Sequence, residues 1–452
     1  MPDRRTFLKL LGLAPLAGRG YAQEPANRPK SKIALNVRDF GAKGDGATKD
    51  TIAIQEALDR CWVLGGGEVT VPAGNYLTGA LALRSNTFLR LDKDASIHGS
   101  PDFADYPVEQ VRWEGKWVQG RLALIYALGA DHIGIGGAGK ILGNHALGGR
   151  PNAQNPLRHP ALIETIGCND IRLEDFSTEY YLMWSIHPTN CENVSIRNLT
   201  VRSTGGNGDG VDIDSCRHVR IDGCDISTGD DSIAIKSGRG SEALALLQTT
   251  EDVAITNCTF ADSIFACIGI GSEASGGIRG IRIQKCKFTH AQTHAIYIKT
   301  RVGRGAFIED ITGDDLDVSG TTQGFLKINA LATGIQDEVP VPGDEGIPLL
   351  KNFKFSNVRV KDCPWLVDAT NIHPRKPLDG FTLTNVTGNA KKGITLANVR
   401  HADIRDIKVT GISGPLIGVN NATGKGLEGA AMIDAPKVPE PIPAPAEPYQ
   451  LR

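Results

Sequence analysis

The 452-residue sequence lacks several features, and each absence excludes or disfavours a class of protein or site. It has almost no net charge, with 49 Lys and Arg against 51 Asp and Glu, which argues against a nucleic-acid-binding protein. It has no internal run of the roughly 18 apolar residues that a membrane-spanning helix needs. Its nine cysteines include no CxxC pair, so neither a zinc site nor a disulfide framework is indicated. Only 3 Met beside 53 Gly favours a turn-rich β protein over a helical one.

The first 22 residues have the composition of an export signal. Arg4 and Arg5 precede an apolar run over 10–17, and small residues follow at 20–22. The arginine pair resembles a twin-arginine signal, which predicts a periplasmic or secreted protein. Removing residues 1–22 leaves 45 basic and 50 acidic residues, a charge of −5.

A short apolar pattern repeats along most of the remaining chain. Apolar residues stand at its positions 1 and 3 and usually at 6 and 8, which is typical of strands with one buried face. The copies begin at Ile171, Val194, Val219, Val253, Ile281, Phe353, Phe381 and Ala402. Repeats of 20 to 35 residues with turns between them indicate stacked coils. The sequence therefore predicts an all-β, single-stranded, right-handed parallel β-helix over residues 30–434.

The same repeat accounts for three of the cysteines. Cys224, Cys258 and Cys286 hold the repeat position that Leu199 and Val358 hold in other copies. We expect them to form an inward apolar stack, since free Cys is usually buried.

Both ends of the coil region carry their own signals. Asp50 is a candidate N-cap for a helix that would cover the open end of the coils, and the glycines at 65–67 would end it. The expected buried stripe of this helix is Ile52, Ile54, Leu58 and Cys61. Residues 435–452 are rich in proline and are interpreted as an extended tail, packed loosely or disordered.

Acidic residues concentrate between positions 207 and 231. Alignment of residues 211–213 with 233–235 places Asp209 directly beneath Asp231 on the next coil, with Asp230 beside them. Stacked coils lie about 4.8 Å apart, so the three carboxyls form one cluster. The register extends this column to Ala266 and His294.

A neighbouring column contains Asp214, Lys236 and Lys299, with His187 expected one coil earlier. Crowded carboxylates raise the pKa of at least one member of the cluster. One protonated and one ionised carboxyl side by side suit glycoside hydrolysis. A solvated acidic turn is the alternative, because Asp and Gly are common in turns.

Four segments together resemble the polygalacturonase family, glycoside hydrolase family 28. They are residues 35–46 (LNVRDFGAKGDG), 184–188 (WSIHP), 207–215 (NGDGVDIDS) and 229–238 (GDDSIAIKSG). The resemblance implies a right-handed parallel β-helix that hydrolyses pectic polymers with inversion and without a metal or other cofactor. By this resemblance Asn207 and Asp209 match the family's Asn-x-Asp motif, Asp230 is the general acid, and Asp209 and Asp231 activate water.

The sequence departs from the family pattern at two places. The family's Gly-His-Gly falls on 265–267, where Ala266 replaces the His, and its Arg-Ile-Lys falls on 297–299, where Tyr297 replaces the Arg. The losses place galacturonate specificity in question more than hydrolysis, and a rhamnogalacturonan-type substrate is a competitor.

The candidate substrate-binding residues follow from the motifs, the register and these losses. His294 is a candidate replacement for the lost His, Arg301 and Arg304 for the lost charge, and Tyr297 for a sugar-stacking surface. The full candidate set is Asn207, His187, Lys236, His294, Tyr297, Lys299, Arg301 and Arg304. For Trp184, core packing is the expected role.

Three functions remain open from the sequence. The first is a hydrolase of an acidic polysaccharide or oligosaccharide, acting without cofactor, nucleic acid or membrane and favoured as a monomer. The second is a lyase on the same fold that uses Ca²⁺ bound by the Asp cluster. The third is a glycan-binding protein without catalysis.

Overall fold

The repeated apolar segments form the strands that the sequence predicts. A computed structural model of the protein describes residues 33–147, 151–153, 155–180 and 183–443. Ile171, Val194, Val219 and Val253 lie in register on successive coils. The coils build three parallel sheets and wind as a right-handed parallel β-helix, which confirms the predicted fold class. The predicted export signal lies outside the described residues and stays a prediction.

The three sheets differ in what they carry, and the one that holds the acidic residues is called the groove sheet below. Its strands are Leu81–Ala82, Ile125–Leu128, Ile163–Ile166, Ile186–Thr189, Val211–Asp214, Ile233–Lys236, Ile268–Ile270, His294–Lys299 and Gly324–Asn329. The second sheet contains Ala34–Asn36, Gly67–Val71, Thr87–Leu91, Asp131–Gly136, Asn169–Glu174, Glu192–Arg197, Arg217–Asp222 and Thr250–Thr256. The third contains Asp45–Lys49, Gly74–Thr78, Ala95–Gly99, Lys140–Leu142, Ser177–Tyr180, Thr200–Ser203, Asp225–Thr228 and Thr259–Ser263.

The later strands are longer and bend through more than one sheet. They are Ile278–Phe288, Phe307–Val318, Leu349–Asn371, Leu378–Thr410 and Ile417–Lys425, followed by Ala431–Met432. A separate antiparallel hairpin is formed by Val108–Trp113 and Lys116–Arg121. The two α-helices of the described residues are Thr51–Val63 and Gly240–Leu246, and the 3₁₀ turns are Val37–Phe40, Phe103–Asp105, His145–Leu147 and Gly343–Gly346. Neither α-helix is long and apolar enough to cross a membrane.

Between the predicted copies that begin at Ile281 and Phe353, one coil escapes the apolar pattern. Ile311 pairs with Ile281 on one side and with Phe353 on the other, so a coil lies between these two predicted copies. Its third position is Gly313, where a Cβ would stand 2.6 Å from the Phe355 ring. The large ring on the next coil fills the space that an apolar side chain fills elsewhere, which hides this copy from a pattern search.

The fifth position of the repeat explains how the strands bend between the second and third sheets. The residues at this position have φ between 51° and 69°, and they include Asp175, Asn198, Asn257, Asp315 and Asn357. Asn and Asp tolerate this left-handed conformation better than other non-glycine residues. The side chains also stack, since Asn198 Nδ2 donates to Asp175 Oδ1 on the previous coil at 3.0 Å.

The cysteines pack in the interior as expected. Cys224, Cys258 and Cys286 are buried, and all nine cysteines are buried and free. A second stack, which the sequence does not explain, lies at the turn before the second-sheet strands. There Cys191 N donates to Cys216 Sγ at 3.4 Å.

The predicted capping helix is present, with two differences. Asp50 is the N-cap residue, but its carboxylate accepts from the backbone N of Lys43 and Gly44 at 2.6 and 2.8 Å and caps no helix N–H. Ile52 is 73% exposed, and Ala57 takes its place in the buried stripe. The predicted N-cap position of Asp50 is confirmed, although its side chain makes no cap hydrogen bond, and the prediction that Ile52 is buried is wrong.

Candidate active site

The structure brings the three predicted carboxyls together. Val211 pairs with Ile233, so Asp209 and Asp231 occupy equivalent positions on neighbouring coils. One carboxyl oxygen from each of Asp209, Asp230 and Asp231 lies within 4.8 Å of the other two. Asp209 and Asp231 are buried, whereas Asp230 is half-buried. The prediction of one acidic cluster is confirmed.

Asp231 is fixed from two later coils. Lys299 Nζ donates to its Oδ2 at 2.6 Å, and Ala266 N donates to its Oδ1 at 3.1 Å. Gly269 makes room for this carboxylate, because a Cβ there would stand 2.4 Å from Oδ2. Lys299 therefore reaches back across the intervening coil, which the repeat register alone does not reveal.

Lys236 holds the other buried carboxylates. Its backbone pairs with Asp214, as the sequence predicts, but its side chain turns sideways. Nζ forms a short ion pair with Asp212 and lies 3.6 Å from Asp209 Oδ2, and it stands 4.0 Å from the ring centroid of the buried Trp184. Asp212 belongs to the 207–215 segment, but the sequence pattern predicts no role for it.

Burial controls the protonation of this cluster. Burial, the largest cause, raises the pKa of Asp209 well above its ordinary value, with help from the nearby Asp212 charge and against Lys236. Burial also raises the pKa of Asp212 against Lys236, and that of Asp231 against Lys299. The pKa of Lys236 is raised well above its ordinary value, because the Asp212 and Asp209 carboxylates outweigh its own burial. The site therefore retains a proton where isolated carboxyls would be ionised.

Asp214 stays ionised beside this cluster. Burial would raise its pKa, but the charge and hydrogen bond of Arg112 hold it below its ordinary value. Arg112 comes from the hairpin and donates through Nε to Asp214 Oδ2 at 3.0 Å, with both side chains buried. The pair joins the hairpin to the groove sheet, and the sequence gives no signal for it.

His187 lies in a different column from the one predicted. Thr189, two residues later, pairs with Asp214, while His187 pairs with Glu164. His187 is fully buried, with Nδ1 3.0 Å from Glu164 Oε1 and Nε2 3.0 Å from Thr189 Oγ1. The prediction that it follows Asp214 in register is wrong, and its ring lies behind the site without access to the groove.

The two candidate arginines are engaged outside the acidic cluster. Arg304 is fully buried, and its guanidinium pairs with Asp337 at 3.1 Å and donates to the Ser272 carbonyl at 2.5 Å. Arg301 is half-buried and donates from Nη1 to the Gly334 carbonyl at 2.5 Å. Arg304 therefore does not supply the charge expected of it, because it joins two loops in the interior.

The aromatic residues of the groove lie beside Lys299. The Phe265 and Tyr297 rings stack with centroids 5.9 Å apart, and Lys299 Nζ lies 4.4 and 5.7 Å from them. Both rings are half-buried, which leaves part of each face for a ligand. Phe265 is not predicted from the sequence. Its place in this aromatic pair follows only from its contact with Tyr297 on the next coil.

His294 lies at the predicted position, one coil beyond Ala266. It is buried and packs against Tyr297 with ring centroids 5.6 Å apart. Burial, with help from the charge of Lys327, lowers its pKa to about 4, so the ring is neutral near pH 7. Its charged neighbours are Lys327 and Asp368 on later coils. His294 is therefore directed toward those coils and not toward the acids, where the lost family His would act.

Asn207 lies at the entrance of the acidic segment with φ 76°. Its side chain is nearly buried, and Nδ2 donates to Met183 Sδ at 3.7 Å. A left-handed Asn at this point turns the chain so that Asp209 points outward from the coil.

The cluster has the spacing of a cation site, since three carboxyl oxygens lie within 4.8 Å. Two ammonium groups already occupy its surroundings, at 2.6 Å from Asp231 and 3.6 Å from Asp209. A divalent cation there would face two positive charges, so these residues do not fit a Ca²⁺ site.

We expect the Asp209→Asn variant to be more stable than the wild type near neutral pH. Above the ordinary Asp pKa, the folded chain holds a proton that the unfolded chain has released, so folding stability falls as pH rises. Asn cannot ionise and avoids this loss. The melting temperature of the variant should exceed that of the wild type near neutral pH, and the gap should close below the ordinary Asp pKa.

The matched control is Asp214→Asn, which should act in the opposite direction. Removing one partner of the buried Arg112–Asp214 pair costs roughly 3–5 kcal/mol of unfolding free energy. Equal destabilisation by both variants near neutral pH would contradict the raised pKa of Asp209.

Comparison with known proteins identifies the family of this chain. Residues 61–330 match the family described as glycosyl hydrolases family 28. A probable polygalacturonase of Vitis vinifera is 30% identical over 373 residues, which are 78% of this chain and 74% of that protein. An endo-polygalacturonase of Pectobacterium carotovorum subsp. carotovorum is 24% identical over 89% of this chain and 92% of its own. The crystal structure of a hyperthermoactive exopolygalacturonase from Thermotoga maritima superposes with a TM-score of 0.74 at 25% identity, covering 84% of this chain and 92% of that one. The chain belongs to glycosyl hydrolases family 28.

Proposed function

We propose that this family 28 protein hydrolyses the glycosidic bonds of a galacturonate-containing pectic glycan through Asp209, Asp230 and Asp231. The observation that carries the proposal is the cluster of three carboxyls on the groove sheet, two of them buried with raised pKa values. Such a cluster holds both a proton to give and a negative charge that can accept one.

The three carboxyls have different access to a substrate. Asp230 is the only half-buried member, so it suits the general acid that protonates the leaving oxygen. Its backbone carbonyl accepts from Thr228 Oγ1 at 2.9 Å and from Ser263 Oγ at 2.8 Å, which fixes the turn that presents it. Asp209 and Asp231 would orient and deprotonate the attacking water. The proton that burial retains on Asp209 or Asp231 lies close to Asp230, since one oxygen of each carboxyl is within 4.8 Å of the other two.

Inversion rests on the family resemblance rather than on the spacing. Inverting enzymes generally hold their two carboxyls about 6.5–9.5 Å apart to admit water. The closest oxygens here lie within 4.8 Å. We propose that the third carboxyl makes inversion possible, because the water can sit beside Asp209 and Asp231 while Asp230 alone faces the leaving oxygen.

The lysines beside the acids are not free to bind the carboxylate of a galacturonate residue. Lys299 already pairs with Asp231, and Lys236 with Asp212. Tyr297 offers a ring face next to Lys299 where the family motif has a cation. A neutral sugar stacked on the Phe265–Tyr297 pair would suit this position, so rhamnogalacturonan is a second candidate substrate beside polygalacturonan.

Coverage of the groove sheet favours cleavage at a chain end. On the coils before the acids, the outward residues Glu164 and His187 are fully buried. Arg158 covers them with a 2.7 Å ion pair to Glu164, and its carbonyl accepts from Arg121 N of the hairpin at 2.9 Å. On the coils after the acids, His294 and Asp368 are buried, but the outward residues Tyr297 and Lys327 are half-buried and Lys392 is exposed. A glycan chain would therefore extend from the acids in one direction only.

The Asp230→Asn variant tests the reaction. We expect kcat/KM on the better of polygalacturonan and rhamnogalacturonan to fall by about 100-fold or more, as for loss of a general acid. The measurement is the release of reducing ends, with the anomer of the first product read by NMR. Inversion predicts the anomer opposite to that of the cleaved bond.

Asp315→Asn is the matched control, since Asp314 and Asp315 also form an Asp pair but lie on an exposed face. It should leave kcat/KM unchanged. A product that absorbs ultraviolet light, and that no longer forms when a chelator is added, would instead identify a lyase. Binding without turnover, insensitive to Asp230→Asn, would identify a glycan-binding protein.

The Lys299→Met variant should move the pH profile of kcat/KM to higher pH. The Lys299 ammonium lowers the pKa of Asp231 against the effect of burial, so its removal raises the pKa of Asp231. The acidic limb then rises in pH, because the base must lose its proton. Lys287→Met, at an exposed lysine of another sheet, is the control; an unmoved profile for Lys299→Met would contradict the coupling.

Product size at low conversion tests chain-end action. We expect the wild type to release mono- or disaccharides from the start, with little fall in polymer viscosity. A ladder of intermediate lengths at low conversion would show that the buried coils before the acids do not block the chain.

A further inference from the structure

A second set of ligand-type side chains lies further along the groove sheet. The column of Asp209 and Asp231 continues through His294 and Gly324 and reaches Trp365, which pairs with Lys392. Lys392 Nζ lies 4.5 Å from the Trp365 ring centroid, and Lys327 Nζ lies 6.0 Å from it. Trp365 is half-buried, and its buried Nε1 has no hydrogen-bond partner among the described residues.

A depression of about 400 Å³ lies further along these strands, at Asn371, which is six residues after Trp365. Asn329 and Asn371 of the groove sheet form one side of it, and Lys437 and Pro439 of the C-terminal tail form the other. Asn329 follows Lys327 by two residues and therefore faces the same side of the strand. The described part of the tail, 435–443, is held against the coils, since Gly343 N donates to the Ile442 carbonyl at 2.8 Å.

Charge distinguishes this region from the acidic cluster. The lysines beside the acids, Lys236 and Lys299, are paired with carboxylates. In the later region Lys327 pairs with Asp368, but Lys392 and Lys437 are exposed and form no ion pair within the described residues. An acidic glycan therefore meets its unpaired cations away from the reacting bond.

We propose that Lys327, Trp365 and Lys392 form a distal site that binds an acidic sugar of the substrate chain. Four coil steps separate it from Asp231, about 19 Å along the groove. The exposed part of the Trp365 ring stacks on the sugar ring, and Lys392 attracts its carboxylate. The inference rests on the proposed function for the identity of the chain. It implies that long chains bind more tightly than short ones.

Substrates of different length test the distal site. For Trp365→Ala we expect KM on polygalacturonan to rise about tenfold, as for the loss of one stacked aromatic residue. Hydrolysis of a digalacturonate, too short to reach Trp365 from the acids, should be unchanged. Lys392→Gln should raise KM for the polymer only, and the effect should disappear at high salt.

Two variants serve as controls. Trp62→Ala removes an exposed tryptophan that also lies beside a cation, Arg84 at 5.9 Å, but on the capping helix at the opposite end of the coils from Trp365. Lys391→Gln removes the exposed neighbour of Lys392. Neither should alter KM for the polymer.

Calorimetric binding of a long oligogalacturonate to the Asp230→Asn variant separates this proposal from the reaction. If affinity falls when Trp365→Ala is added, the distal site stands even if no hydrolysis is found. If Trp365→Ala leaves the affinity and the polymer KM unchanged, or weakens the digalacturonate equally, there is no distal site.

Discussion

The spacing between stacked coils is the constraint on which this structure depends. Hydrogen bonding between parallel strands fixes neighbouring coils about 4.8 Å apart, so a side chain repeated in register must meet its copy. Asp209 and Asp231 are such copies, and Asp230 follows from the turn between them. Their repulsion cannot relax by separation, because the core holds the coils. It is relieved by retained protons and by the ammonium groups of Lys236 and Lys299.

Sequence reasoning succeeds where structure is set by local periodicity. The alternation of apolar residues gives the strands, and the repeat gives their register, which brings Asp209 over Asp231 and Asp214 over Lys236. The coil at Ile311 was missed because an aromatic ring on the neighbouring coil compensates for Gly313. Register is thus readable when each coil fills its own space, and hidden when a neighbour does so.

Sequence reasoning fails where side chains reach across the register. Lys299 crosses one coil to bind Asp231, and Lys236 turns from its own column to Asp212. Arg112 approaches Asp214 from a hairpin 102 residues earlier in the chain. Long flexible side chains choose their partners by burial and charge in three dimensions, and the strand pattern records neither. The same limit explains why Arg304, which looked free in a loop, is buried against Asp337.

The acidic cluster and the exposed lysines lie on different coils, and the separation follows from the different environments that the proposed reaction and the binding of a polyanion require. The acids need a buried, low-dielectric position to keep a proton, and burial requires that nearby cations pair with them. Those paired cations cannot also bind a polyanion strongly. A protein with more acidic than basic residues must therefore attract such a substrate elsewhere. Lys392 is exposed and lies several coils from the acids, so in the proposed reaction it could attract the chain without neutralising the three carboxyls.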